Sequence, residues 1–491
     1  MNGASHPRDM VSRRRAVTWL TAGGLAAATR LAVPAQAAAA AATPSGMPGA
    51  APTPAPSRLG PPDPVKADAI RTEFLHAWGG YKRFAWGHDE VLPVSGGYQE
   101  FFAPGHPVGL SIVEALDTHF VMGLDDEVAQ CVAWIESHLD FDIDADFHVF
   151  EANIRLVGGL ISGYLATGRR SLLTSCTDLA DRLLTAFTSS PTGMPYSHVN
   201  LRTGEVSGTS VPLAEIGTNI LEFGVLSQLT GNPKYYRASK LAYRAAIQRR
   251  SSLNLLGTTM NIETGEWTDS TDAAPNPPAD SFYEYLWGGW AMFGDTDCLG
   301  WFHMFDAAFK KYQVEWVDGL LWFKQVDFNT GEVLGRQQSE LAVDNLSEGG
   351  DNTLAADFYR SWTAVLDKYA VIPEEIDYTT LAVVSPANEL RPEYANCAFD
   401  LYGHTGDPFY RTTAWRYFEN LRTYHRVANG YTIITDVTKR PMVQGDYFPA
   451  YSFAENFKWL YLTFSDTPRF DYRNGYLNTE AKVLRGLRRR A

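Results

Sequence analysis

The sequence is short of the residues from which metal clusters and disulfide frameworks are built. Cysteine occurs four times in 491 residues, and Cys131, Cys176, Cys298 and Cys397 stand far apart, with none of the paired spacing of a structural zinc site. Nowhere does a glycine-rich loop run into a helix to cradle a phosphate; Gly158-Gly159 falls inside a helical pattern, where close helix packing accounts for it. Basic residues form no long stripe beyond the N-terminus, and the formal net charge is −14. Phosphate binding depends on Lys and Arg, so no nucleic-acid partner is expected. The apolar run from Ala16 to Val33 is broken by Arg30 before it reaches membrane-spanning length. No protein partner is evident, and a neutral, polar ligand fits this composition better.

What is plentiful is apolar and aromatic. With 45% hydrophobic and 13% aromatic residues the chain can bury a large core, as one big domain or two. Most of the 24 Tyr, 26 Phe and 13 Trp belong to that core, although such rings also suit the C–H faces of sugars. The N-terminus reads as a targeting segment. Ser12-Arg13-Arg14-Arg15 precedes the small and apolar run, and Ala35-Gln36-Ala37 has the small-x-small pattern that signal peptidase accepts. Residues 1–37 thus look like a twin-arginine export signal, the alternative being a basic start on a membrane anchor. Its removal leaves a more acidic mature chain with no membrane span, delivered to a periplasm or outside the cell. Twin-arginine substrates usually fold before export, so the cysteines are expected as buried thiols. Residues 38–64 are rich in Ala, Pro, Ser and Gly and read as a linker, which leaves 65–491 as the folded part.

Within that part, Ile70, Phe74, Ala77, Trp78, Tyr81 and Ala85 recur at three and four, the spacing of one helix face, and the period returns through Val128–Ile135, Ile154–Leu165, Leu213–Leu229 and Phe457–Leu462. Thr167-Gly168-Arg169, Thr230-Gly231-Asn232-Pro233 and Thr405-Gly406-Asp407-Pro408 each put Gly where a helix C-cap needs positive φ, and two then supply Pro for the next start. This pattern predicts helical hairpins. Thr203-Gly204-Glu205, Thr264-Gly265-Glu266 and Thr330-Gly331-Glu332 read as β-hairpin turns inserted between helices. Helix, helix and hairpin recurring along the chain predict a single toroid of helical pairs.

Several carboxylates stand among apolar neighbours, where burial is costly without a purpose or a partner. Glu151 and Arg155 are one helical turn apart, either as a surface ion pair or as part of a site. Asp280 precedes Ser281-Phe282-Tyr283-Glu284-Tyr285 and could simply cap a helix. In Leu390-Arg391-Pro392-Glu393, Pro suits a helix start and Glu its first turn. Glu455 lies in an aromatic stretch, and Asn478-Thr479-Glu480-Ala481 could be an ordinary cap.

Taken in order, these segments resemble glycoside hydrolase family 47, the class I α-1,2-mannosidases, with this chain as a bacterial member. The resemblance runs from about Ala77 to Leu484. It includes Tyr81-Lys82-Arg83-Phe84-Ala85-Trp86-Gly87-His88-Asp89-Glu90, Glu114-Ala115-Leu116-Asp117-Thr118 with Met122-Gly123-Leu124, and Phe150 to Arg155. It continues through Leu213-Ala214-Glu215-Ile216-Gly217-Thr218, Asp280 to Tyr285, Leu390 to Glu393, Ala454-Glu455 and Asn478 to Ala481. The resemblance implies an all-α (α/α)7 barrel with short inserted β-hairpins, an acidic pocket on one side and a C-terminal hairpin plugging the other. It also implies one Ca²⁺ bound through the carbonyl and hydroxyl of Thr479, the other ligands being waters and sugar hydroxyls, an all-oxygen shell that suits a hard cation. By the same carry-over Glu151 is the general acid, Glu393 the general base and Asp280 a further catalytic carboxylate. Arg155, Arg391, Glu455 and Glu480 line the sugar and metal site, and Tyr451 stands at a sugar-stacking position. The implied reaction is inverting hydrolysis of terminal α-1,2-linked mannose in high-mannose glycans or mannobiose.

Two departures from the family pattern are visible. Where relatives carry an Asp-His-Leu motif followed by a cysteine, this chain has Glu340-Leu341-Ala342-Val343-Asp344, without the histidine or the cysteine, and Asn396 replaces a glutamate three residues after the Arg-Pro-Glu motif. Altered sugar contacts or a weaker metal shell are expected from these. A catalytically silent, mannose-binding lectin is the alternative, and the presence of Glu151, Asp280 and Glu393 weighs against it. A sugar isomerase or epimerase on a similar toroid would rely on histidines where this chain has carboxylates.

Overall fold

A computed structural model describes residues 60–343, 346 and 350–489. The expected export signal, nearly all of the linker, and Asp344 lie outside the described residues. The first helix, α1 (Pro64–Phe84), starts where composition turns from linker to helix-forming: the Asp63 side chain accepts from the Lys66 N–H, and Pro64 opens the first turn.

Helical hairpins then follow one another: α2 (Leu110–Met122) with α3 (Asp125–His138), and α4 (Val149–Glu151), a π-helical turn (Ala152–Val157) and α5 (Gly158–Thr167) with α6 (Arg170–Thr188). Next come α7 (Leu213–Gly217) and α8 (Ile220–Thr230) with α9 (Lys234–Ile247), then α10 (Asp280–Phe293) with α11 (Thr296–Tyr312). The circuit continues through α12 (Asn352–Tyr369), α13 (Glu393–Thr405) with α14 (Pro408–Asn420), and α15 (Tyr451–Ala454) leading into α16 (Asn456–Phe464). Helix α16 packs on α1, α13 and α2, which closes the ring. The molecule is the expected (α/α)7 barrel.

Inner and outer helices differ as their sequences require. Every residue of α2 is buried, and so are most of α8 and nearly all of α10, because an inner helix meets protein on all sides; its faces are mainly apolar, and the charges α2 does bury, Glu114 and Asp117, are paired with buried lysines. Outer helix α6 buries Leu172, Cys176, Leu179, Ala180, Leu183, Ala186 and Phe187, a stripe at three and four, and leaves its other face to water.

The predicted punctuation is where the chain turns. Gly168, Gly231 and Gly406 cap α5, α8 and α13 in left-handed conformation, with φ of 75°, 70° and 69°. Gly204, Gly265 and Gly331 turn short antiparallel hairpins. Gly158 and Gly159 are fixed by proximity: a Cβ on Gly159 would lie 2.6 Å from Val113 Cγ1, and one on Gly158 would press on Asn478 and Lys482. All four cysteines are buried, with no disulfide among the described residues. No helix among the described residues is long and apolar enough to cross a membrane.

At the C-terminus, Tyr476–Leu477 pairs antiparallel with Val483–Arg485. This hairpin packs on the inner helices α5 and α8, which places its turn, residues 478–482, inside the barrel.

Candidate active site

A pocket enclosing about 400 Å³, counting the part open to solvent, lies beside that turn. It is lined by Glu151, Arg155, Leu341, Arg391, Pro392, Glu393, Tyr451, Glu455, Thr479 and Glu480. Eight of the nine residues singled out in the sequence are therefore brought together from four distant segments. The ninth, Asp280, does not line this pocket; it is the first residue of α10 and is buried. Nor does its carboxylate cap that helix, since the cap position is Ala279 and carries no side-chain cap.

Glu151 ends the turn capped by His148, whose Nδ1 accepts from the Glu151 N–H at 3.5 Å. The backbone that follows is π-helical over Ala152–Val157, where a regular helix was expected. Two side-chain contacts hold this turn: Asn478 Nδ2 donates to the Ile154 carbonyl at 3.3 Å, and Asn153 Nδ2 to Glu222 at 3.0 Å. Such turns recur at functional sites because they re-aim side chains. Here Arg155 still reaches Glu151, Nε to Oε2, at 2.7 Å.

Arg155 also donates to Glu480 at 2.6 Å and to Glu114 at 3.3 Å, and its guanidinium lies 5.3 Å from both the Phe101 and Tyr451 ring centroids. Burial alone would weaken its hold on a proton, but Glu480, Glu151 and Glu114 keep its pKa well above the usual range. Across the pocket, Arg391 donates to Glu374 and to Glu389, each at 2.9 Å, and to the Tyr451 hydroxyl at 3.4 Å. Leu390, just before it, is buried at φ 62°, held by Asn388 Oδ1 at its N–H and Asn456 Nδ2 at its carbonyl. A left-handed leucine persists only where its surroundings over-determine it, and this one fixes the entry to Arg391-Pro392-Glu393. Glu393 then opens α13 as the sequence predicted.

The acids in the pocket crowd one another. Burial, with Glu480 and Glu393 nearby, holds the Glu455 carboxyl well above the usual range despite Arg155. Burial, with Glu374 and Glu393 nearby, does the same to Glu340. Glu114, Glu340, Glu374, Glu389 and the pair His148–Glu215, joined Nε2 to Oε2 at 3.2 Å, received no role in the sequence reading. Glu114, Glu215 and Glu340 sat inside quoted motifs. Glu374 carried no signal, because only the fold brings it to Arg391; Glu389 stands two residues before Arg391 and was passed over. Among the described residues no group of three or more His, Cys, Asp or Glu is disposed to grip a metal ion directly.

A family model described as Glycosyl hydrolase family 47 matches residues 73–486. The chain is 32% identical over 444 residues to alpha-mannosidase I MNS5 of Arabidopsis thaliana, covering 84% of this chain and 75% of that one. It is 33% identical over 448 residues to mannosyl-oligosaccharide 1,2-alpha-mannosidase IA of Sus scrofa, covering 85% and 67%. The structure superposes on alpha-1,2-mannosidase from Trichoderma reesei with a TM-score of 0.79 and 25% identity, over 87% of this chain and 100% of that one. A cellobiose 2-epimerase from Bacillus thermoamylovorans aligns at TM-score 0.51 and 12% identity, over 82% of this chain and 99% of that one, a likeness of fold alone. Family match, curated relatives and structural superposition agree: the chain is a glycoside hydrolase and belongs to glycosyl hydrolase family 47.

Proposed function

We propose that this protein is an exo-acting α-mannosidase that removes terminal α-1,2-linked mannose from oligosaccharides, with inversion and with a calcium ion in its pocket. The observation that carries this reading is the meeting of Glu151 and Glu393 in one pocket with two arginines and two further acids. Cleavage of a glycosidic bond needs one carboxyl that gives a proton and one that takes it, and inversion needs room for water at the second.

Glu151 suits the first role. Three carboxylates, Glu114, Glu151 and Glu480, share two cations, Arg155 and Lys482. Of the three side chains Glu151 is the most exposed, at 11% against 0% and 3%, so it is the one placed to reach a leaving oxygen from the pocket. Glu393 suits the second role, because it lines the same pocket as Glu151, and the acids beside it, Glu340 and Glu455, have their pKa values raised by burial and by its own charge, so they compete less for the role. The crowding also fits a divalent cation: the donors are oxygens, Arg155 and Arg391 are already shared among other carboxylates, and acids whose pKa burial raises would gain a counter-charge. Thr479 would hold that cation through its carbonyl and hydroxyl, with waters held by Glu455 and Glu480. When bound, it supplies charge stabilisation and a grip on sugar hydroxyls. Proton NMR of the fresh product from α-1,2-mannobiose tests the reading: β-mannose should accumulate first. Early α-mannose would mean retention, and binding without any release would favour the lectin alternative.

Leu341, which stands where the family motif has histidine, lines the pocket. An imidazole there could hydrogen-bond a hydroxyl that leucine cannot. Leu341→His is expected to shift kcat/KM among the α-1,2, α-1,3 and α-1,6 mannobioses by more than about threefold, roughly the weight of one modest hydrogen bond, with Tm nearly unchanged. Unaltered kinetics on every linkage would remove this residue from substrate selection.

A further inference from the structure

Lys458 on α16 and Lys482 in the turn of the C-terminal hairpin are both wholly buried. Lysine is seldom taken fully out of water. A buried ion pair also costs so much desolvation that apolar residues of similar volume often stabilise a fold as well or better. Lys458 and its partner Asp117, likewise wholly buried, therefore call for a reason other than stability, and the chemistry above uses neither.

Their contacts supply one. Lys458 Nζ donates to Asp117 Oδ1 at 2.6 Å and to the Ala481 carbonyl at 2.5 Å, and Asp117 Oδ2 accepts from the Val483 N–H at 2.9 Å. The pair grips backbone on both sides of Lys482, whose own ammonium reaches Glu114. The earlier half of the turn is held separately. Asn478 Oδ1 accepts from the Glu480 and Lys482 N–H groups at 3.1 and 2.7 Å, and Asn478 Nδ2 donates to Glu222 at 2.7 Å. Between the two holds sits Ala481, buried, with φ 53°. An alanine stays left-handed only where its neighbours compel it. Lys458 holds that residue's own carbonyl, and the two residues before it, Thr479 and Glu480, line the pocket.

We propose that Lys458 and Asp117 are positioning residues for the metal site, clamping the Ala481 carbonyl and the Val483 N–H so that the strained turn keeps the shape in which Thr479 meets the cation. The inference rests on the calcium reading of the pocket. Neither residue lines the pocket, and both act through backbone they hold. An outer partner of a metal ligand typically contributes roughly 10–100-fold to affinity.

The test uses the double variant Lys458→Met/Asp117→Leu, which removes both charges together and leaves neither uncompensated. Calorimetric titration of Ca²⁺ into metal-free protein should give a Kd raised roughly 10–100-fold over wild type, with Tm within a few degrees. A lowered Tm with unchanged Kd, or a double variant that does not fold, would show a merely structural pair and overturn the inference. Wild-type protein that binds no Ca²⁺ would overturn the calcium reading itself, and this proposal with it.

Discussion

Glu393→Gln is expected to lower kcat by roughly 10²–10⁴-fold, the usual contribution of a positioned acid or base, while the affinity for mannose ligands stays within a few-fold of wild type. Glutamine has the same shape and can still hydrogen-bond a water, but cannot take its proton. No neighbour can substitute. Burial and the other acids around Glu340 and Glu455 raise their pKa values, so neither ionises readily enough to take over as base. Stability should not suffer, because glutamine keeps the side chain's volume and its capacity to hydrogen-bond. Steady-state kinetics on α-1,2-mannobiose, paired with calorimetry on a mannose ligand, separate the outcomes. Undiminished turnover would refute the assigned base, and lost binding with normal kcat would make Glu393 a recognition residue.

The parts of this molecule that were legible in sequence are those decided locally. Gly168, Gly231 and Gly406 end helices because a C-cap in left-handed conformation favours a residue without Cβ, a matter of a few neighbouring residues. The inserted hairpins at Gly204, Gly265 and Gly331 are equally local. The pocket was legible for a different reason: its segments keep a recognisable order along the chain, and the barrel gathers them, as it does Glu151, Glu393, Glu455 and Thr479. What could not be read is what depends on which distant groups meet. Glu374 became a partner of Arg391 only when the hairpin of 375–377 with 382–385 brought it beside Ala387, whose carbonyl accepts from its N–H at 2.8 Å. The π-helical turn at Ala152–Val157 is held by Asn478, more than three hundred residues away. The capping role considered for Asp280 failed because the chain enters α10 one residue earlier than the capping pattern requires.

Removing calcium should weaken binding and turnover together, and this contrast with Glu393→Gln separates a positioning cation from a proton-transfer group. The pocket supplies the argument. Its carboxyls are too many for the arginines that serve them, and the pKa of Glu455 is raised by burial and by Glu480 and Glu393. Without a counter-charge the pocket cannot hold its acids ionised, and a ligand whose hydroxyls need charged acceptors loses affinity as well as alignment. Thr479→Ala should act in the same direction but less completely, since alanine keeps the backbone carbonyl and loses only the hydroxyl. A fall in kcat/KM of roughly 10–100-fold is expected, on the scale of one partner in a metal site. Its fold should survive, because Thr479 is only partly buried and the turn is held by Asn478 and Lys458 on either side of it. Exhaustive chelation of the wild type, checked by elemental analysis, should abolish most turnover and raise the Kd for mannose, and added Ca²⁺ should restore both there while restoring Thr479→Ala only in part. Full activity in protein shown to be metal-free would refute the calcium assignment, and rescue of chelated protein by Zn²⁺ in preference to Ca²⁺ would contradict the all-oxygen site on which it rests.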